Sequence, residues 1–149
     1  MDNMDALAKL LADVAKCGVY QLNQDVRQLA QAANDAGLKV WRVDIGHAHD
    51  KKDFLASLAK ALDFPQTFGG NWDALADCLR DLSWVEGKGY VVILEKSKHF
   101  HAAHQEEFDI AIDILAEAAE YWKSEGRPFW GLIGGPEGWI SGCREMPGT

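Results

Sequence analysis

The sequence predicts an α/β fold: a small, mostly parallel β-sheet packed with helices, preceded by an N-terminal extension of helix, strand and helix. Three observations predict it. Strand-like and helical patterns alternate along the chain, the order that builds parallel sheets through crossover helices. Tyr90 to Leu94 is apolar at every position, as a strand covered on both faces must be, and should be central. Residues 105–124 carry a long amphipathic pattern, with Phe108, Ile112, Leu115, Ala119 and Trp122 on one face, and lead into a second apolar run, Phe129 to Ile133.

Each element has a local cause. Met4, Leu7, Leu11 and Val14 recur at helical spacing, which predicts an amphipathic helix over 2–16 that packs on the main domain or serves a partner. Residues 18–22 read as a short extended segment. Asn23 is the expected N-cap of a helix with Val26, Leu29, Ala30 and Ala33 on one face, ending at Gly37. In the strand expected over 38–45, Trp41, Val43 and Ile45 alternate with Arg42 and Asp44. Asp50 caps the next helix, which buries Phe54, Leu55, Leu58 and Leu62 before Pro65 closes it.

After the loop Gln66 to Gly70, Asn71 caps a short helix whose inner stripe is Trp72, Leu75, Leu79 and Leu82. Gly126 and Pro128 end the long helix. Residues 134–149 lack periodicity and read as a tail, with Trp139 and Ile140 as the side chains able to dock. The expected organisation is an N-terminal amphipathic helix over 1–17, a single α/β domain over 18–135 and an irregular tail over 136–149.

The 149 residues, 16.5 kDa in all, are enough for one soluble domain with a real core. With 23 acidic against 15 basic side chains and a formal charge of -8, direct nucleic-acid binding and attachment to an anionic membrane are disfavoured, and a basic partner is preferred. No apolar run approaches the roughly 20 residues needed to span a bilayer. The start, Met1-Asp2-Asn3-Met4-Asp5, lacks the positive charge of a secretory signal, so a cytoplasmic location is expected. Cys17, Cys78 and Cys143 have no metal or redox spacing and are expected as free thiols, with Cys78 buried. Six tryptophans suit either a core or a binding hot spot.

The most unusual local feature is the segment from Gly69 to Leu79. With Trp72, Leu75 and Leu79 inside, Asp73, Asp77 and Asp81 fall at i, i+4 and i+8 on the outer face. Like charges at that spacing weaken a helix by a few tenths of a kcal/mol per pair, and only Asp73, in the first turn, benefits from the helix dipole. From Asp63 to Glu86 there are five acidic residues and one basic, Arg80. Such a stripe is a solvated face in an acidic protein, or a docking surface for a cationic cleft.

The run Pro65-x-x-Phe68-Gly69-x-Asn71-Trp72-Asp73-Ala74-Leu75-x-Asp77-Cys78-Leu79 closely resembles the binding segment of the barstar family, intracellular inhibitors of barnase-type secreted ribonucleases. The order strand, helix, loop, short acidic helix, strand, long helix and strand over about residues 38–134 matches the barstar-like architecture; the first 37 residues and the last 15 lie outside it. The resemblance implies that the loop and short helix plug a ribonuclease active site, with carboxylates standing in for RNA phosphates. Asp77 then matches the family's main hot-spot aspartate and Asp73 its acidic neighbour; Gly69 and Asn71 match the loop residues, with Gly70 between them a further candidate contact, and Phe68 matches an aromatic beside them.

Four positions depart from the pattern. Thr67 stands where a contact tyrosine is found, Trp72 replaces a leucine, and Ala76 stands in place of a tryptophan. Tyr121 falls in ungapped register with a contacting glutamate near the end of the long helix. Trp84 is either a flank of the binding surface or a core residue. The partner implied is a basic secreted ribonuclease or related toxin, and the alternative is a non-inhibitory interaction module of the same fold with another protein partner.

Other constellations are weaker. Two carboxylates one turn apart on one exposed helix have no means of separating their pKa values for acid–base work. His47, His49, His99, His101 and His104 include two H-x-H spacings but neither a cysteine pair nor an HExxH helix. The glycine-rich stretch Gly134 to Gly138 follows a strand as a phosphate loop does, yet lacks the Gly-Lys-Ser/Thr ending and the following helix, and Pro136 removes a donor. No complete nucleophile, base and oxyanion set is present, so neither catalysis, metal nor cofactor is expected.

Overall fold

Parallel neighbours require each strand to leave the sheet at one edge and return to the other through a crossover, and here helices supply most of the crossovers. The computed structural model describes residues 3–148. Its strands are β1 (Val19–Gln21), β2 (Lys39–Asp44), β3 (Tyr90–Glu95) and β4 (Phe129–Ile133), and every pairing in the sheet order β1-β4-β3-β2 is parallel. The helices are α1 (Asn3–Ala12), α2 (Val26–Asp35), α3 (Lys51–Ala61), α4 (Trp72–Asp81), α5 (Lys98–Ala103) and α6 (Gln105–Ser124). Tyr90 lies opposite Lys39 and Phe129, and Leu94 opposite Val43 and Ile133, so β3 is an inner strand as its composition predicts.

Both faces of that strand are covered, which explains its lack of a polar position. Tyr90, Val92 and Leu94 pack with Trp41, Val43, Phe129 and Ile133 in the core shared with α3, α4, α5 and α6. Val91 and Ile93 point the opposite way, into a second core with Trp130 and Leu132 that α1 and α2 close through Leu7, Leu11, Leu29 and Ala33. Two buried indoles fasten helices to these layers. Trp122 Nε1 donates to the Leu79 carbonyl at 2.7 Å and Trp130 Nε1 to the Leu11 carbonyl at 2.8 Å. Gly89 permits the close approach at the foot of the sheet, since a Cβ there would lie 2.6 Å from the Pro128 carbonyl oxygen.

Several boundaries differ from the sequence expectations, each for a local reason. The helix expected over 2–16 ends at Ala12, because the Asp13 carboxylate accepts from the Ala15 N–H and opens a separate 3₁₀ turn, Val14–Lys16; residue 2 lies outside the described residues. Its inner face, with Leu11 fully buried, belongs to the second core rather than standing free. The cap of α2 is Asp25, which accepts from the Arg27 and Gln28 N–H groups, while Asn23 is exposed in the preceding loop. The short helix α5 was not predicted; it buries Phe100, which stacks on Phe54 at 4.8 Å.

The tail docks through different residues from those expected in part. Trp139 is half-buried against the first core and Met146 is buried in the second, whereas Ile140 is 77% exposed. The Gln21 N–H donates to the Arg144 carbonyl at 2.7 Å, which ties the tail to the outer edge of β1; residue 149 lies outside the described residues. Cys78 is half-buried rather than buried, and Cys17 is the thiol in the core. No helix among the described residues is long and apolar enough to cross a membrane.

Candidate protein-docking site

A short loop and α4 form the site, and their conformation follows from a few residues. Asp63, at φ 56°, turns the chain out of α3, and the Phe68 N–H closes a turn on the Pro65 carbonyl at 2.9 Å. Gly70 has φ 68° with open space around it, so its backbone conformation rather than crowding calls for glycine. Asn71 is extended and its Oδ1 accepts from the Ala74 N–H at 2.8 Å, the predicted cap. At the far end Leu82 ends the helix in the left-handed region, at φ 48°. That conformation costs about 1–2 kcal/mol for a residue with a Cβ, and burial of the leucine side chain offsets it by about 1.5–3 kcal/mol.

The helix so placed has the two faces the sequence predicts. Leu75, Leu79 and Leu82 are buried, while Asp73, Asp77 and Asp81 are exposed. Asp77, with its side chain 76% exposed, meets Arg80 at 2.9 Å. An exposed pair of this kind contributes about 0–1 kcal/mol, so a stronger cationic surface could displace Arg80 at little cost. Thr67, Gly69 and Gly70 are exposed beside the helix start; Phe68 is half-buried with its ring 5.0 Å from that of Phe64, and Ala76 is half-buried against the core.

Two tryptophans support this surface from beneath. Trp72 is half-buried rather than fully inside: its Nε1 donates to Glu107 on α6 at 3.1 Å, its ring lies 5.9 Å from Phe54, and the Lys51 ammonium sits 5.5 Å above it. Trp84 Nε1 donates to the Leu62 carbonyl at 3.1 Å and its ring meets Phe64 edge-on, so it braces the end of α3 against the loop. Tyr121 is 39% exposed on α6, next to the Trp122 that holds α4, and its hydroxyl faces Glu125 at 3.4 Å. Glu107 and Arg80 are additions to the predicted set. Arg80 was legible as an i+3 neighbour of Asp77, but Glu107 is 35 residues from Trp72 and no local pattern links them.

Nucleophilic chemistry gains no support here. Burial, then Asp81 and Asp77, push the Cys78 thiol up, and burial does the same for Cys17 and Cys143, so all three are protonated at neutral pH. His99 and His101 lie on α5 rather than in extended chain, which separates their rings. His101 packs edge-on against Phe108 and Trp139, and His104 Nε2 lies 2.6 Å from the His49 carbonyl. Among the described residues no group of three or more His, Cys, Asp or Glu could hold a metal ion.

Among solved structures with a similar fold is the ORC2 protein of Aeropyrum pernix, determined as ADPNP-ADP complexes; it is 18% identical with a TM-score of 0.56, over 89% of this chain and 40% of that one. The present chain therefore spans less than half of that protein's length. No curated protein matches the sequence. The family model described as barstar (barnase inhibitor) matches residues 38–134, which takes in β2, the whole loop and α4, β3, α5, α6 and β4. With well over half of its length matched by that model and the acidic loop-helix inside the match, this chain belongs to the barstar family.

Proposed function

We propose that this protein is an inhibitor that occludes the active site of a basic secreted ribonuclease or related toxin, without catalysis of its own, in the cytoplasm of the cell it protects. The observation that carries the reading is the exposed row Asp73–Asp77 on α4, beside an open loop and within the segment matched to the barstar family. An enzyme that cleaves RNA must gather cationic side chains around a phosphate, and two carboxylates about one helical turn apart offer that cleft a substitute anion. Asp77 and Asp73 supply the charge; Gly69, Gly70 and Asn71 let the backbone approach; Phe68, Thr67, Trp72, Ala76, Trp84 and Tyr121 complete the contact surface.

Charge complementarity acts mainly on the rate of encounter, while a desolvated ion pair governs dissociation. Association should therefore be fast at low salt and slow as ionic strength rises. The test is inhibition of a barnase-type ribonuclease on a fluorogenic RNA substrate, with wild-type protein and Asp77→Ala titrated in parallel at two salt concentrations. Tight inhibition that the substitution relieves supports the reading. No inhibition by folded wild type, or inhibition indifferent to Asp77→Ala and to salt, overturns it for that class of enzyme.

A second reading, an interaction module of the same family with a different protein partner, is favoured by Thr67 and Ala76, which stand where the family pattern has aromatic contacts. Removal of α1 cannot decide between the two, because Leu7 and Leu11 are core residues and the Leu11 carbonyl holds Trp130. Restoring the aromatics does decide. Thr67→Tyr with Ala76→Trp should tighten ribonuclease inhibition if the site is a weakened inhibitor surface, and should leave it unchanged if the surface has been turned to another partner.

A further inference from the structure

At the carboxyl edge of the sheet the connections diverge. The chain after β1 passes to α2 on one face, whereas the chains after β2 and β3 pass to α3 and α5 on the other. β4, which lies between β1 and β3, leads into the tail rather than a crossover, so the connections on its two flanks part to opposite faces, and in parallel α/β sheets ligands bind in the crevice that such a divergence opens. Here the crevice is a cavity of about 870 Å³, lined by residues that follow all four strands and by the starts of α2 and α5. Its volume lies within the range of small-molecule sites, roughly 300–1,000 Å³. It shares no residue with the acidic loop and α4.

The lining is mixed. Leu22, Val26, Ala102 and Pro136 are its apolar residues; Glu95, Lys96, Lys98 and His99 contribute the charged and ionisable groups. Two of these are already answered from β2. Arg42 holds Glu95 with two hydrogen bonds, at 2.8 and 2.9 Å, and Asp44 holds Lys96 at 3.1 Å. Among the described residues Lys98 pairs with no carboxylate, and the ring of His99 meets only that of His49, edge-on at 6.4 Å. In a protein of charge -8 the crevice thus keeps an unanswered ammonium and an imidazole on adjacent residues, in a lining that also holds Leu22, Val26 and Pro136.

From this juxtaposition the geometry points to a second site: the carboxyl-edge crevice binds a small phosphate monoester, with the phosphate at Lys98 and His99 and an apolar or aromatic body against Leu22, Val26 and Pro136. Two adjacent donors suit a dianion better than a single carboxylate, and lysine engages phosphate as a point charge without needing a planar fork. The volume accommodates a body the size of a nucleoside. Gly134 and Gly135 line the crevice without forming a phosphate cradle: a Cβ on Gly135 would lie 2.2 Å from the Trp139 ring, so that glycine serves the packing of the tail.

The test is calorimetric titration of the full chain with AMP, adenosine and inorganic phosphate, repeated on Lys98→Ala and Ala102→Trp. Lys98 and Ala102 are exposed, so both variants should fold, which thermal unfolding verifies. The expected result is that AMP binds at least tenfold more tightly than adenosine or inorganic phosphate, that Lys98→Ala weakens AMP tenfold or more, and that Ala102→Trp abolishes binding by filling the cavity. Absence of AMP binding to wild type at millimolar concentration, equal affinity for adenosine, or AMP affinity unchanged in both variants overturns the site. The readout uses no ribonuclease, so its failure and that of the inhibitor reading are separate events.

Discussion

The outer face of α4 projects Asp73, Asp77 and Asp81 into solvent from a helix whose other side is sealed by Leu75, Leu79 and Leu82, whereas the carboxyl edge of the sheet holds an open crevice of about 870 Å³ beside Lys98 and His99. One surface is acidic and projecting; the other is concave and keeps a cation. Their internal charges are handled differently too. Among the described residues, Arg80 pairs with Asp77 alone of the three aspartates on α4, while at the crevice Glu95 and Lys96 each have a partner on β2 and Lys98 has none. A projecting face can lose a carboxylate without disturbing the core, and it can meet a large rigid partner; a crevice made where loops diverge can exclude such a partner and admit a small one.

The largest expected effect sharpens the contrast between the two sides of α4. Leu79→Ala removes a fully buried side chain and should lower stability by about 2–5 kcal/mol in chemical denaturation. Asp77→Ala comes next. It should leave stability within about 1 kcal/mol of wild type, since only an exposed ion pair is lost, yet weaken ribonuclease binding by about 2 kcal/mol or more, chiefly through faster dissociation in surface-immobilised kinetics. If Asp77→Ala alters stability and not binding, α4 carries no docking face and the comparison breaks.

A smaller effect is expected at the cap. Asn71→Ala leaves the Ala74 N–H without its side-chain acceptor and should cost about 0.5–2 kcal/mol. Because the same residue lies at the loop, ribonuclease affinity should fall with it.

The smallest concerns the ion pairs beside the crevice. The hydrogen bond from the Gly46 N–H, then the Lys96 contact, hold the Asp44 carboxyl below its ordinary pKa. A depressed folded-state pKa gives stability that is present above the unfolded value of about 3.9 and lost as pH falls through the folded value. Asp44→Asn should therefore be slightly less stable than wild type at pH 7, and the gap should close in strong acid; a gap that widens there contradicts the assignment. The same substitution frees Lys96 and should strengthen phosphate-ester binding at the crevice.

Much of the site was legible because its causes are local. The aspartate row, the inner leucine stripe and the Asn71 cap depend on residues within a few positions of each other, and all three stand as expected. The left-handed turn at Leu82 was not legible, since the burial that offsets it comes from a core that α6 and the sheet also build. The same holds for Trp72, assigned to the interior by its spacing but drawn to the helix flank by Glu107 and Lys51. In the fold, Phe129 to Ile133 and the helix over 105–124 were found with their boundaries, because a long periodic run and a terminal glycine are strong local signals. α5 was missed: six residues with three histidine or lysine side chains carry too little periodicity, and its anchor in the core is Phe100 stacked on Phe54, forty-six positions away in sequence.

By itself the sequence determined the four strands and every helix except α5, which side of most of them is apolar, and that the acidic row faces outward, because side-chain period and capping act over one or two turns of chain. Tertiary structure alone decided the strand order, the recruitment of α1 to the second face and of the tail to both cores, and the crevice. Those depend on contacts such as Trp130 with the Leu11 carbonyl and Arg42 with Glu95, which join residues 119 and 53 positions apart and exist only once the sheet has brought them together.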